Sequence, residues 1–108
     1  MKVRSLPAAR EDVRAAGNYL NDQRRGLGAQ LVAEFKRAVS DIRANPRMYP
    51  RTEDGPDEPE NREVFIGRFK YRVIYAIWKD EAVIVAVLDA RRRPGSWRDR
   101  LTDITPEE

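Results

Sequence analysis

Gly67-Arg68-Phe69-Lys70-Tyr71-Arg72-Val73-Ile74-Tyr75-Ala76-Ile77 is the stretch whose reading decides the fold. Phe69, Tyr71, Val73, Tyr75 and Ile77 recur at every second position, the period of a strand with one buried face. Gly67-Arg68 reads as the turn that opens this strand, which runs to Lys79, and Arg62 to Ile66 as the strand before it. Lys79-Asp80-Glu81 reads as a second tight turn. Beyond it, Ala82 to Asp89 is apolar from Val83 through Leu88, so this strand is expected inside the sheet with both faces covered. Three consecutive strands joined by tight turns predict an antiparallel sheet.

Upstream, the periodicity changes. Ala9, Val13, Ala16 and Leu20 recur at helical spacing behind Pro7, which suits the first turn of a helix because its missing N–H has no partner there anyway. Gly17 either weakens this helix or lets a neighbour approach. Arg24-Arg25-Gly26-Leu27-Gly28 breaks the pattern. A second helix follows, with Leu31, Phe35, Ala38, Val39 and Ile42 on one face, and Asn45-Pro46 stops it. Two helices around a short glycine-containing turn make an antiparallel hairpin. Met1 to Leu6 alternates as a short edge strand. Residues 46–61 form a proline-rich loop holding most of an acidic cluster (Glu53, Asp54, Asp57, Glu58, Glu60), read as a solubilising insertion with a mobile tip. Downstream come Arg91-Arg92-Arg93-Pro94-Gly95-Ser96-Trp97, a short helical turn around Ser96 to Leu101, and a polar tail at 102–108. The expected architecture is α+β, in the order β-α-α-β-β-β, a single domain over 1–108 with the hairpin on one face of the sheet.

The 108 residues suffice for one modest core, and 36% of them are charged. The net charge of +3 is unevenly placed, with acids gathered at 52–63 and arginines at 91–100. A basic patch of this kind suits nucleic acid or an acidic protein segment. Cysteine and histidine are both absent, which removes disulfides, thiolate metal sites and the usual general base near neutral pH. No cofactor or metal is expected. Neither a signal-like apolar core nor a run long enough to span a membrane is present in the sequence, so a soluble cytoplasmic protein is expected.

In this order and at this length, the chain resembles the RelE/ParE superfamily, the toxin halves of type II toxin–antitoxin pairs. Four features carry the resemblance. A strand leads into Pro7-Ala8-Ala9-Arg10-Glu11-Asp12-Val13, and Phe35 and Ile42 precede Asn45-Pro46. Gly67 to Tyr75 is close to the family's R-x-F-P-Y-x-V-x-Y strand, and Val83 to Leu88 leads into Arg91-Arg92-Arg93-Pro94, where the family often ends V-x-H-x-R-x-P. Lys70 stands in place of the proline and Asp89 or Ala90 in place of the histidine, and Thr52 to Asn61 is longer and more acidic than the family pattern.

The resemblance implies a toxin held in a hetero-oligomer with a cognate antitoxin, part of which is disordered alone and lays apolar groups along the hairpin at Leu20, Leu27 and Leu31. It also implies one of two activities: ParE-like inhibition of DNA gyrase by binding, or RelE-like cleavage of messenger RNA on the ribosome. Cleavage by a 2′-hydroxyl needs a base, an acid and cations for the phosphorane charge. Arg68, Lys70, Arg72 and Arg91 would be the nuclease set. With no histidine, and no tyrosine after Tyr75, the acid–base pair is incomplete, so the residues favour the gyrase inhibitor with no catalytic residue. A further alternative is an inactive relative serving as a nucleic-acid-binding module, although common RNA-binding folds order their elements differently. The target contacts are expected at Arg68, Lys70, Arg72, Arg91, Arg92, Arg93 and Trp97. Arg72 and Lys70 point away from the core face, whereas the area of Trp97 argues that it also docks the C-terminal segment onto the domain.

Overall fold

The computed structural model of the protein describes residues 1–68 and 70–104. The placement expected for Phe69 and the last part of the 102–108 tail fall outside the described residues. The elements run β1 (Lys2–Ser5), α1 (Pro7–Gln23), α2 (Leu27–Ala44), β2 (Glu60–Ile66), β3 (Tyr71–Trp78), β4 (Glu81–Asp89) and a closing 3-10 turn (Arg98–Asp103). The sheet order is β1-β4-β3-β2, antiparallel except for the parallel pair β1 and β4. The α+β architecture expected from the sequence is the one observed, with β1 at an edge and β4 inside. β2 begins two residues earlier than expected because Glu60 and Asn61 pair with Ile77 and Ala76.

Paired residues share a face of a sheet, so the register sorts the core. Tyr71, Val73, Tyr75 and Ile77 lie on the helix side, where the Tyr75 hydroxyl donates to the Pro46 carbonyl just beyond α2. Burial pushes the Tyr75 phenol up to about 12. Val85 has no partner in β3: Ile74 pairs with Ala86 and Tyr75 with Ile84. That extra residue is a β-bulge, and it reverses the alternation of β4 part-way along.

The second face is not the open polar face that the β3 alternation implied. Ile74 and Ala76 are fully buried there. Residues 95–104 cover it, with Trp97 and Ile104 both at 0% exposure. The start of the expected polar tail is therefore structural: Thr102 and Asp103 end the 3-10 turn, and Ile104 packs in the core. Apolar area, more than any local pattern, recruits this segment.

The hairpin closes on a pair of glycines. A Cβ on Gly28 would stand 2.5 Å from the Gly17 carbonyl oxygen, whereas one on Gly17 would meet nothing nearer than 3.9 Å. Gly28 is thus the residue that permits close approach, a role the sequence had suggested for Gly17. The Gly28 N–H in the first turn of α2 is capped from the other helix, donating to Asn21 Oδ1 at 2.9 Å. Gly28→Ala is expected to destabilise the fold by about 1–3 kcal/mol through overpacking against backbone. Gly17→Ala should be neutral or slightly stabilising, since alanine is the better helix former. Urea unfolding of the two variants side by side checks this, and equal midpoints would remove the close approach as the reason for Gly28.

Candidate functional site

The ends of β2 and β4, the start of β3 and the α1–α2 turn meet at one end of the molecule. β2 finishes at Ile66 and β3 starts opposite it at Tyr71, which pairs in turn with Asp89 at the end of β4. The α1–α2 turn borders the same place, because Arg24, Arg25 and Gly26 share a cleft with Gly67, Arg68 and Lys70. Arginines and lysines far apart in sequence are therefore neighbours in space. Arg24, Arg25, Arg68, Lys70, Arg92 and Arg93 are all exposed, and among the described residues their side chains make no hydrogen bond or ion pair. Arg91 joins them with 87% of its side chain exposed, although it binds Asp89 at 3.0 Å. That contact holds the Asp89 carboxyl below its ordinary range and raises the guanidinium. Such a concentration of cations on one surface raises the local potential for an anionic partner.

The β2–β3 turn that carries Arg68 has a local reason for its shape. Gly67 and Arg68 both take positive φ, at 64° and 58°, which glycine adopts freely and arginine does not. The turn is held from α2, where Glu34 Oε1 accepts the Gly67 N–H at 3.0 Å. Beneath these groups lies a cleft of about 400 Å³. Leu20, Leu27, Leu31 and Tyr71 are the apolar side chains of a lining that is otherwise mostly polar. Leu31 is fully buried and Leu20 and Leu27 are half-buried. The three leucines expected at an antitoxin contact and two cations expected at a target contact thus line one cleft. A second groove of about 390 Å³ meets Tyr71 from the other side, between α1 and the end of β4, and there Tyr19 is 56% exposed.

Two residues expected at the target contact are elsewhere engaged. Arg72 has only 13% of its side chain exposed; its two terminal nitrogens donate to Asp54 at 2.9 and 2.7 Å and its Nε–H to Glu63 at 2.6 Å. It does point away from the helices, but a covering segment lies there instead of solvent. Trp97 is fully buried, and its indole N–H donates to Asp54 Oδ2 at 3.1 Å. Both are corrected to structural residues.

The link between them is Asp54, the residue that sequence reading missed. Its carboxylate also accepts the Gly95 N–H at 2.8 Å, and its backbone carbonyl accepts from Arg98. The Arg72 guanidinium, followed by the Gly95 and Trp97 N–H groups, holds the Asp54 carboxyl well below the usual carboxylate range against the opposing effect of burial. The neighbouring Gly55 has no room for a side chain, since a Cβ there would fall 2.3 Å from Asn61 Oδ1 and 2.6 Å from the Trp97 ring. Asn61, 1% exposed, donates to the Pro56 and Pro59 carbonyls. The acidic loop is therefore a clasp that closes the C-terminal segment onto the sheet. The expectation of a solubilising insertion with a mobile tip gives way to this set of bonds. The clasp fixes Gly95, two residues beyond the arginine run, and so fixes where Arg91 to Arg93 emerge.

No described carboxylate cluster suits a metal. Burial raises the Tyr71 phenol as it does that of Tyr75, and carboxylates close by are bound to arginines. What the arrangement offers chemically is a charged, partly apolar docking surface.

Comparison with known proteins identifies the family and the fold. The family model described as ParE toxin of the type II toxin–antitoxin system, parDE, matches residues 3–94. A solved structure, the chromosomal ParDE TA system from P. aeruginosa, superposes with a TM-score of 0.68 at 12% identity, over 82% of this chain and 95% of that one. At that identity the likeness speaks for the fold. No curated protein matches the sequence. The family match ends at Pro94, immediately before the residues that Asp54 clasps.

Proposed function

The chain belongs to the ParE toxin family of type II toxin–antitoxin systems, and from that premise we propose that it inhibits DNA gyrase by binding and is neutralised by a cognate antitoxin. The observation that carries this reading is the convergence of unpaired cations on one end, over a cleft, with no acid–base pair among them. Stoichiometric occupation of a target needs only complementary charge and shape. Turnover of RNA would need a group able to take a proton near neutral pH, and raised phenols such as Tyr71 and Tyr75 do not supply one. Arg68, Lys70, Arg91, Arg92 and Arg93 are the target contacts in this reading, and Leu20, Leu27 and Leu31 belong to the antitoxin contact.

The test is a supercoiling assay with purified gyrase, run beside translating ribosomes and messenger RNA. Inhibited supercoiling with intact RNA is the expected result, and codon-linked RNA cuts with normal supercoiling would establish the ribonuclease reading instead. Arg92→Ala with Arg93→Ala is expected to raise the half-inhibitory concentration at least about tenfold, equivalent to about 1.4 kcal/mol. Added salt should weaken inhibition by the parent protein more than by the variant, because screening acts on the charges the variant lacks.

A further inference from the structure

Among the described residues Tyr19 is the most exposed aromatic side chain, at 56%, and neither the target contact nor the antitoxin contact uses it. Its exposure has a local cause. A long side chain on a helix leans back over the turn before it, and for Tyr19 that turn carries only Ala15 and Ala16. No bulky neighbour on α1 covers the ring, and the groove of about 390 Å³ between α1 and the end of β4 opens there. Two carboxylates line this groove, and both are engaged. Asp12 binds Arg100 and accepts the Val87 N–H, and Asp89 binds Arg91 through both oxygens. Arg92 is the lining charge left unbalanced. It is exposed, and the turn after β4 holds it in place, since its N–H donates to the Asp89 carbonyl at 3.0 Å. An open aromatic face beside one unbalanced cation suits a ligand that joins a planar ring to a phosphate. We propose that this groove binds single-stranded DNA, with one base stacked on Tyr19 and the adjoining phosphate on Arg92.

The groove selects among anionic partners. A duplex keeps its bases stacked on one another, so it would bring phosphate to Arg92 and leave the Tyr19 ring uncovered. An acidic peptide would satisfy Arg92 but has no flat group to lay on the ring. RNA brings a 2′-hydroxyl, for which the acceptors in the lining are Asp12 and Asp89, and both already have partners. Burying that hydroxyl unpaired carries a cost that deoxyribose avoids. Every base has a π-face, so stacking on Tyr19 carries no strong sequence preference. Arg93, exposed and next in the chain, adds to the attraction without touching the stacked base. The cleft on the other side of Tyr71 is not part of this site.

The test is fluorescence anisotropy of a labelled DNA oligonucleotide of about 12 nucleotides, titrated with the full chain at low salt. The same sequence as RNA and as duplex DNA supplies the other two arms. Tyr19→Ala is expected to weaken single-strand binding at least about fivefold, the low end of what one stacked base contributes, and Tyr19→Phe should bind like the parent. Arg92→Ala should lower the slope of log affinity against log salt by about 0.7, the loss of one phosphate contact to a single strand. The RNA should bind at least about twofold more weakly than the DNA. Both substituted positions are exposed, so the variants keep the fold. Absence of single-strand binding, binding unchanged by Tyr19→Ala, RNA bound as tightly as DNA, or a duplex that loses as much as the single strand on Tyr19→Ala would overturn the proposal. Binding is read without gyrase, and Tyr19 has no part in the gyrase contact named above. A failure here therefore leaves that reading standing, and a negative supercoiling assay leaves this one.

Discussion

Replacing Asp54 with alanine is expected to destabilise the fold by about 3 kcal/mol, the lower end of what removing one partner from a buried ion pair costs. The change strips Arg72 of its two-nitrogen contact and leaves the Gly95 N–H and the Trp97 indole N–H without acceptors. Arg72 keeps Glu63, which limits the damage. For a domain of this size the midpoint of thermal unfolding should fall by more than about 10 °C. Trp97 should become solvent-accessible below that midpoint, seen as a red shift and increased quenching of its emission. A variant that melts within a few degrees of the parent would show that apolar burial alone holds residues 95–104.

The same carboxylate predicts a pH dependence of known sign. Asp54 titrates lower in the folded protein than in the unfolded chain, so its contribution is fully present above the unfolded value near pH 4 and is lost as pH falls further. Asp54→Asn keeps an acceptor oxygen but has no charge to titrate. Its stability should fall less steeply than that of the parent below about pH 4, and the two curves should run parallel above it. Curves parallel throughout the acid range would refute the assignment of that charge to the clasp.

Asp12→Ala is expected to have an effect of similar size, again about 3 kcal/mol. β1 is short and its last ladder partner in β4 is Ile84. Beyond that point the outer backbone of β4 lies open, and buried polar groups there need partners. Asp12 Oδ2 accepts the Val87 N–H at 3.0 Å, and Arg100 donates to the Val85 carbonyl at 3.1 Å. The two side chains bind each other at 2.6 Å, so a helix residue and a C-terminal residue together complete the edge that β1 leaves. Alanine removes both the acceptor for Val87 and the counter-charge of Arg100. Arg100→Met in the Asp12→Ala background should regain part of the loss, because the orphaned guanidinium is then gone. Failure to regain any of it would mean that the pair is incidental to the edge. Hydrogen exchange at the Val87 amide reads the edge directly.

Much of the fold was legible because burial writes itself into periodicity. The apolar run of β4 and the alternation of Tyr71, Val73, Tyr75 and Ile77 each state a burial requirement within a few residues. The helical hairpin was legible for the same reason. Contacts that span the chain left no such local trace. Asp54 meets Arg72 across 18 positions and Trp97 across 43, and as a sequence feature it was one acid among several in a loop. The assignment of Arg72 as a contact failed there: the strand period showed which way it points but not that a later segment covers that side. Arg24 and Arg25 read only as a break between helices, and their place beside Arg68 and Lys70 follows from the close crossing at Gly17 and Gly28. The bulge at Val85 carries no glycine or proline to announce it.

The clasp also has a consequence for synthesis. Residues 95–104 follow every strand in translation order, and until they emerge Ile74, Ala76 and Val83 have no cover on their second face. A growing chain that has completed the sheet still presents that apolar surface, and the arginines before Gly95 lack the anchor that the clasp supplies at Gly95. Domains complete their packing as units, and uncovered strands of this kind are prone to associate with one another in the meantime. The anchoring of the Arg91–Arg93 run at Gly95 is therefore a late event, after residues 95–104 have left the ribosome, whereas the cations of the α1–α2 and β2–β3 turns are in place with the sheet.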